Sequence, residues 1–237
     1  MPDGVHCCWP GQAWVSSRST CVGDLTCPAG MAALAGGTFE MGERHDTVTL
    51  QPLCLDTTEV TVDAYAACVQ SGQCTADHPG QSSRDGVTFE ALQSCNYGVA
   101  GRGNHPMNCV DWAQSAKYCR AQGKRLPTEE EREWAARGQS RGTVYPWGND
   151  APSSHVCWVQ AGGTCPAGKY PASDAPGGIH DLAANVLEWT ATHYDPTTYV
   201  VRGAAWFSTA ASDLRAANRK GSAPSGRFQG VGFRCAR

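Results

Sequence analysis

The sequence predicts an α+β domain with little regular secondary structure, which disulfide bonds hold together. Glycine contributes 27 and proline 14 of the 237 residues, so loops should outweigh helices and strands. The 13 cysteines are dispersed without a single Cys-x-x-Cys pair, a pattern typical of a disulfide framework rather than of a zinc ribbon or a thioredoxin-type redox site. Segments with helix-start signals are interspersed with short strand-like segments, which favours a mixed domain.

The first 30 residues differ from the rest of the chain. They contain four of the cysteines and show neither helical nor strand periodicity. We therefore expect a Cys-rich module over 1–30, followed by one domain over 31–237. Because 13 is an odd number, at least one thiol is free or is bonded to another chain, and we expect it at the adjacent Cys7 and Cys8.

Short strands are predicted where apolar and polar residues alternate. Residues 38–42 and 48–50 have this pattern, and so do residues near 186–190, 199–203 and 231–236. Turn-rich sequence separates most of these segments, so we expect short antiparallel strands joined by long loops.

Helices are predicted over 61–69, 111–123 and 128–137, and each begins at a residue whose side chain can cap a helix. The third has the strongest start signal. Thr128 can cap it, Glu131 completes a capping box, and the acidic first turn suits the helix dipole.

Three pairs of cysteines bracket short loops that contain glycine or serine, and each closure would contribute about 2–4 kcal/mol to stability. The predicted pairs are Cys68 with Cys74, Cys95 with Cys109, and Cys157 with Cys165.

The cysteine content also predicts the compartment. A disulfide framework persists outside the reducing cytoplasm, so we expect a secreted, periplasmic or cell-surface protein. The N-terminus lacks a basic and apolar leader, and we expect that Met1 replaces an export signal. The alternative is a cytosolic protein with reduced structural thiols.

The charge distribution is uneven. A net charge of −3 argues against a nucleic-acid binder, and no apolar run approaches the roughly 18 residues of a membrane span. Residues 202–237, however, hold seven basic side chains and one acidic. Two interpretations stand: the arginines form buried pairs with upstream carboxylates, or the segment binds an anionic ligand.

Eight short blocks follow one another along the chain. They are 37–42 (GTFEMG), 58–61 (TEVT), 105–112 (HPMNCVDW), 123–129 (GKRLPTE), 134–138 (WAARG), 145–149 (YPWGN), 185–190 (NVLEWT) and 231–235 (VGFRC). Together they resemble the formylglycine-generating enzymes, also called sulfatase-modifying factors, over roughly 31–237. The resemblance implies a variant C-type lectin fold with a short twisted sheet. It also implies a disulfide between Cys119 and Cys235.

The same resemblance bears on catalysis. The family's enzymes oxidise a substrate cysteine to formylglycine, using two copper-binding cysteines just after an Arg-Gly-Gly-Ser-Trp/Tyr segment. The matching segment here is 202–208, RGAAWFS, in which Ser208 stands at the first cysteine position, and Asp213 lies near the second. No cysteine occurs between positions 165 and 235. Because a Cu(I) centre needs thiolates, we expect no copper and no oxidase activity of this kind.

A structural calcium site is also implied by the resemblance. By position, Asp181 and Glu188 would supply carboxylates, and Ala184 and Val186 would supply backbone carbonyls. Hard oxygen ligands of this kind suit Ca²⁺. The alternative is that Glu188 pairs with a C-terminal arginine.

Residues 206–229 are similar to the variable proteins of diversity-generating retroelements, which share the fold and display changeable residues on this face. A mixture of aromatic and small polar residues suits binding. The predicted ligand-binding residues are Trp206, Phe207, Ser208, Thr209, Ser212, Asp213, Lys220, Ser222, Ser225, Arg227, Phe228 and Gln229.

Three hypotheses about function follow. The leading one is a secreted or surface protein that binds an unknown protein or small molecule on this face and lacks the oxidase chemistry. The second is an enzyme of the same family with altered, metal-dependent oxidative chemistry at Ser208, Asp213 or a histidine. The third is a retroelement variable protein.

Overall fold

The computed structural model describes the backbone of residues 13–15 and 20–22 and all of residues 25–237. Most of the predicted Cys-rich module, with Cys7 and Cys8, lies outside the described residues. Two short strands, β1 (Ala13–Val15) and β2 (Thr20–Val22), pair antiparallel in a stretch where no strand is predicted.

Ten further strands and three α-helices follow in the described residues. The strands are β3 (Met31–Leu34), β4 (Gly37–Met41), β5 (Asp46–Leu50), β6 (Leu53–Asp56), β7 (Gln81–Ser82), β8 (Glu90–Ala91), β9 (Leu187–Asp195), β10 (Thr198–Arg202), β11 (Arg219–Ser222) and β12 (Val231–Gly232). The helices are α1 (Val62–Gln70), α2 (Trp112–Ala121) and α3 (Glu129–Ala136).

All three predicted helices are present, and each begins where a side chain caps it. Thr61 Oγ1 accepts a hydrogen bond from the Ala64 amide at the start of α1. Asp111 and Thr128 cap α2 and α3, and each belongs to a complete capping box. These bonds join residues only three positions apart, which is why the sequence predicts them. No helix in the described part of the chain is long and apolar enough to cross a membrane.

The largest sheet has the strand order β11-β10-β9-β12. The first three strands are antiparallel, whereas β12 runs parallel to β9. The predicted strand over 231–236 is therefore only partly right. Pairing with β9 ends at Gly232, and Ala236 instead bridges Leu55 and Arg125.

The two faces of this sheet pack against different helices. Alternation along β9 and β10 places Trp189 and Val201 on the face that packs against α1 and α2. Glu188 and Arg202 point the other way, toward α3, where a second apolar cluster surrounds Trp134.

Five disulfides are formed among residues 25–237. Four are the predicted pairs: Cys68–Cys74, Cys95–Cys109, Cys119–Cys235 and Cys157–Cys165. The fifth, between Cys27 and Cys54, ties the end of the predicted N-terminal module to β6 and was not predicted.

Candidate functional site

A groove of about 450 Å³ lies on the sheet face that also packs against α1 and α2. All four strands of the large sheet contribute to its floor, through Leu187, Val201, Lys220 and Val231. Val201 and Lys220 are paired residues of neighbouring strands, so their side chains share one face.

The hairpin of β7 and β8 forms one wall of the groove, and sequence reasoning missed it. The hairpin is attached by a two-way backbone bridge between Ser83 and Arg227, with N–O distances of 2.9 and 2.7 Å. Its strands have only two residues each, so no periodic signal in the sequence could have revealed them. The lining residues from this segment are Ser82, Arg84, Glu90 and Leu92.

Five of the predicted ligand-binding residues line the groove: Phe207, Lys220, Ser222, Phe228 and Gln229. Phe207 is 45% exposed, an unusual state for a large aromatic side chain. Trp206 lies behind it in an edge-to-face contact, with ring centroids 4.9 Å apart. Trp206 is buried and donates from Nε1 to the Gln229 carbonyl, so it supports the groove rather than lining it.

Thr209, Ser212 and Ser225 are exposed but do not line the groove. The half-buried Ser208 and Asp213, which by the resemblance stand at and near the copper-cysteine positions, also lie outside it. Ser208 closes a local turn with Ala205, and its Oγ accepts from the Ala205 amide at 3.2 Å. An Asp213 carboxylate oxygen lies 3.6 Å from Lys220 Nζ.

Arg227 is a correction to the predicted set. It is 4% exposed, and its Nη2 donates to Asp111 Oδ2 at 2.8 Å. Its Nη1 donates to the Asp77 carbonyl at 2.8 Å, and the ring of Phe89 lies 5.0 Å from the guanidinium carbon. Through these contacts the guanidinium joins the hairpin segment to the start of α2, so Arg227 does not line the groove.

Other arginines of the basic C-terminal segment behave in the same way. Arg202 and the exposed Arg219 form ion pairs with the buried Glu129, and Arg234 forms one with the buried Glu188. These pairs agree with the first interpretation of this segment. Lys220 is left as the basic residue that this segment presents to the groove.

The Cys157–Cys165 loop supports the same region from the side. Its disulfide packs against Trp206, and the amides of Val159 and Gln160 donate to the carbonyls of Ser208 and Trp206 at 3.1 and 2.8 Å. Val159 is held at φ 52°, a left-handed conformation that β-branched residues rarely adopt, and is 56% exposed. Strain of this kind is often found at functional sites, and nothing in the sequence pointed to Val159.

The predicted calcium ligands do not fit a calcium ion in this arrangement. Glu188 is fully buried, and both of its carboxylate oxygens accept hydrogen bonds from Arg132 and Arg234. Burial opposes ionisation of Glu188, but the two guanidinium groups outweigh it and hold its pKa below the ordinary value. The Ala184 carbonyl accepts from the Val186 amide at 3.0 Å. A divalent cation at Glu188 would meet two positive charges at contact distance.

Glu59 and Asp181 form a buried carboxyl pair beside this ion pair. Asn185 Nδ2 donates to Glu59 Oε1 at 3.1 Å, and the Gly168 amide donates to Asp181 Oδ2 at 2.6 Å. Burial, together with the neighbouring Asp181 carboxylate, raises the pKa of Glu59 well above its ordinary value. Burial also raises the pKa of Asp181. The pair therefore favours holding a proton.

Glu59→Gln is expected to be more stable than the natural protein at neutral and alkaline pH. Because the pKa of Glu59 is raised in the fold, its stabilising contribution is complete below the unfolded pKa of about 4.3 and is lost as the pH rises through the folded pKa. Glutamine stays neutral, so the difference in Tm between variant and natural protein should grow with pH. Circular dichroism melts from about pH 4 to about pH 9 measure it. The exposed Glu90→Gln is the control, and parallel curves for Glu59→Gln and the natural protein would contradict the prediction.

Comparison with known proteins decides the family. A model of the sulfatase-modifying factor enzyme 1-like domain matches residues 23–237. The chain belongs to the sulfatase-modifying factor family. This member is 38% identical over 158 residues to "Inactive C-alpha-formylglycine-generating enzyme 2" of Bos taurus, an alignment that covers 59% of this chain and 52% of the relative. The chain thus spans about half the length of the bovine protein and of its Mus musculus counterpart.

Solved structures of low identity share the fold of this sulfatase-modifying factor homologue. PvdO from Pseudomonas aeruginosa superimposes with a TM-score of 0.68 at 23% identity, covering 87% of this chain and 93% of PvdO. Treponema denticola variable protein 1 has a TM-score of 0.64 at 18% identity, covering 87% and 94%. At these identities the likeness concerns the fold alone, and it confirms the predicted fold class.

Proposed function

We propose that the protein is a non-catalytic family member outside the cytoplasm that binds a ligand in the groove of the large sheet. One observation carries the non-catalytic part. By the family resemblance Ser208 stands at the first copper-cysteine position and Asp213 lies near the second. All ten cysteines of residues 25–237 are in disulfides, so this part of the chain offers no thiolate. The same five disulfides support a location outside the reducing cytoplasm.

The composition of the groove supports ligand binding. The aromatic side chains of Phe207 and Phe228 line the groove together with the polar Ser222 and Gln229. Rigid aromatic anchors beside small adaptable hydrogen-bonding groups are the mixture found in binding surfaces of antibody loops. Because Leu92 extends the apolar lining on the hairpin side, a protein or peptide ligand fits this surface better than a simple anion.

The variable-protein hypothesis is a special case of this proposal. Phe207, Thr209, Ser212 and Ser225 are exposed positions, so substitutions there would leave the core intact. Its test is the gene neighbourhood, where a reverse transcriptase gene and a near-copy of the 202–234 coding stretch must both occur. Absence of either rejects this special case and leaves the binding proposal standing.

The non-catalytic part predicts that the protein converts no peptide cysteine to formylglycine. Purified protein is incubated with copper, oxygen and a cysteine-containing sulfatase peptide, with an active formylglycine-generating enzyme as positive control. We expect the peptide to remain unmodified, because a hydroxyl and a carboxylate cannot replace two thiolates on Cu(I). Aldehyde formation above background would reject the proposal. Stoichiometric copper or iron in the purified protein would favour the alternative of altered metal-dependent oxidation.

The binding part is tested with a displayed library of random peptides selected on the natural protein. For peptides that occupy the groove, Phe207→Ala is expected to weaken affinity about tenfold or more, since a central exposed aromatic residue usually carries much of the binding energy. Val99→Ala is the matched control, because Val99 is 37% exposed and lies outside the groove lining. Binders equally sensitive to both variants, or insensitive to Phe207→Ala, would place the binding surface elsewhere.

A further inference from the structure

The carboxylate of Glu188 is bound by two arginines that approach from different elements. Arg132 of α3 donates from Nε to Oε2 at 2.7 Å and from Nη2 to Oε1 at 3.1 Å. Arg234 of the C-terminal segment donates from Nε to Oε2 and from Nη2 to Oε1, both at 2.9 Å. All three residues are at most 1% exposed. The carboxylate is thus saturated without any other ligand.

Arg132 also bonds to the backbone of the segment that contains the predicted calcium ligands. Its Nη2 donates to the Leu182 carbonyl at 2.8 Å. Gly203, at φ 91°, leaves this space open: a Cβ atom there would lie 3.4 Å from Arg132 Nη2 and 3.7 Å from the Val186 carbonyl oxygen. One guanidinium nitrogen therefore bonds both to Glu188, a predicted calcium ligand, and to the Leu182 carbonyl oxygen, and the Val186 carbonyl borders the same Gly203 position.

Arg234 does not bond to the Leu182 carbonyl. Its Nη1 donates to the Asp56 carbonyl at 3.0 Å, and its Nη2 donates to the His180 carbonyl at 2.7 Å. These bonds direct its guanidinium toward β6 and the segment before Asp181, so Arg234 fastens the last segment of the chain. Arg132 is the cation that reaches the Leu182 carbonyl.

We propose that the guanidinium of Arg132 takes the place of the calcium ion that the family resemblance implies at this site. The positive charge beside Glu188 is then supplied by a side chain of the protein. A guanidinium supplies several N–H donors to a carboxylate and to carbonyls, whereas Ca²⁺ would need six to eight oxygen ligands at about 2.3–2.6 Å. The protein therefore needs no divalent cation for stability at Glu188. Shortening Arg132 removes one donor from each Glu188 oxygen and releases the Leu182 carbonyl, while Arg234 stays on Glu188, so we expect these oxygens to accept calcium in the variant.

The test is thermal unfolding of the full chain in excess calcium chloride or in excess EGTA. The natural protein is expected to melt at the same temperature in both, and calorimetry should show no calcium binding. Arg132→Ala is expected to melt lower in EGTA and to gain about 5–10 °C in saturating calcium, as one tight site would give in a chain of this size. Magnesium should stabilise it less, because Mg²⁺ demands a smaller octahedral shell.

Two control variants separate this effect from general destabilisation. Arg202→Ala removes an arginine that is as deeply buried as Arg132 from its ion pairs with Glu129 and Glu133. Calcium should not raise the melting temperature of this variant. Arg132→Lys keeps a positive charge in place and should show no calcium response. If Arg132→Ala does not fold in either solution, Arg132→Gln replaces it. The proposal is overturned if calcium raises the melting temperature of the natural protein. It is also overturned if Arg132→Ala or Arg132→Gln folds but melts at the same temperature in calcium and in EGTA.

Discussion

Glu188→Gln is expected to lower the free energy of unfolding by about 3–5 kcal/mol. The substitution keeps the shape of the side chain but removes the charge that Arg132 and Arg234 share. Both guanidinium groups are buried, so they would lose their partner where water cannot replace it. Urea unfolding followed by tryptophan fluorescence measures the change, with the slope of the transition expected to stay constant.

Glu43→Gln is the matched control for this prediction. The Glu43 side chain is 82% exposed, and its nearest arginine nitrogen, in Arg215, is 3.9 Å away. An exposed pair of this kind contributes little, so we expect a change of no more than about 0.5 kcal/mol. A loss below about 1 kcal/mol for Glu188→Gln would mean that the two arginines find other partners or water, and that the ion pair does not hold α3 to the sheet.

Removing the Cys119–Cys235 disulfide with a pair of alanines is expected to cost about 4–5 kcal/mol. The bond closes a loop whose ends are 116 residues apart, so the unfolded chain gains much conformational freedom when the bond is absent. Both cysteines are fully buried, and alanine adds no polar group to the core. Urea unfolding of the double variant under oxidising conditions measures the effect.

The Cys68–Cys74 disulfide provides the comparison within the same chain. Its sequence separation is only 6, so the corresponding alanine pair is expected to cost about 2 kcal/mol. The ratio of the two losses tests the physical cause. Equal losses would show that constraint of the unfolded chain does not explain the stability that Cys119–Cys235 contributes.

The helices illustrate what a sequence can predict about the fold. Thr61, Asp111 and Thr128 cap their helices by accepting hydrogen bonds from amides three residues away. Such bonds depend on neighbours in the chain, so residue types and spacing suffice. The Cys119–Cys235 disulfide was predicted by another route, since the resemblance to a family carried information about tertiary structure that spacing alone does not contain.

The candidate site was harder to predict, because its parts come from distant segments. Phe207, Phe228 and Gln229 belong to the segment that the resemblance singled out, and they do line the groove. Arg84 and Leu92 were missed, because their hairpin is joined to a segment far away in the chain, as in the Ser83–Arg227 bridge. Contacts between segments this far apart leave no periodic trace in the sequence.

The sequence by itself determined which side chains stand at the positions that the family resemblance assigns to catalysis. No cysteine occurs between positions 165 and 235, so these positions offer no thiol, whatever the fold does. Only the tertiary structure decided the partner of each buried charge. From the sequence, Glu188 was a candidate for calcium or for an arginine, and Arg227 was a candidate for a ligand contact or for a structural bond. The physical reason is that a buried charge is stabilised by the groups that folding places within hydrogen-bond distance, and Arg132 is 56 residues from Glu188 in the chain.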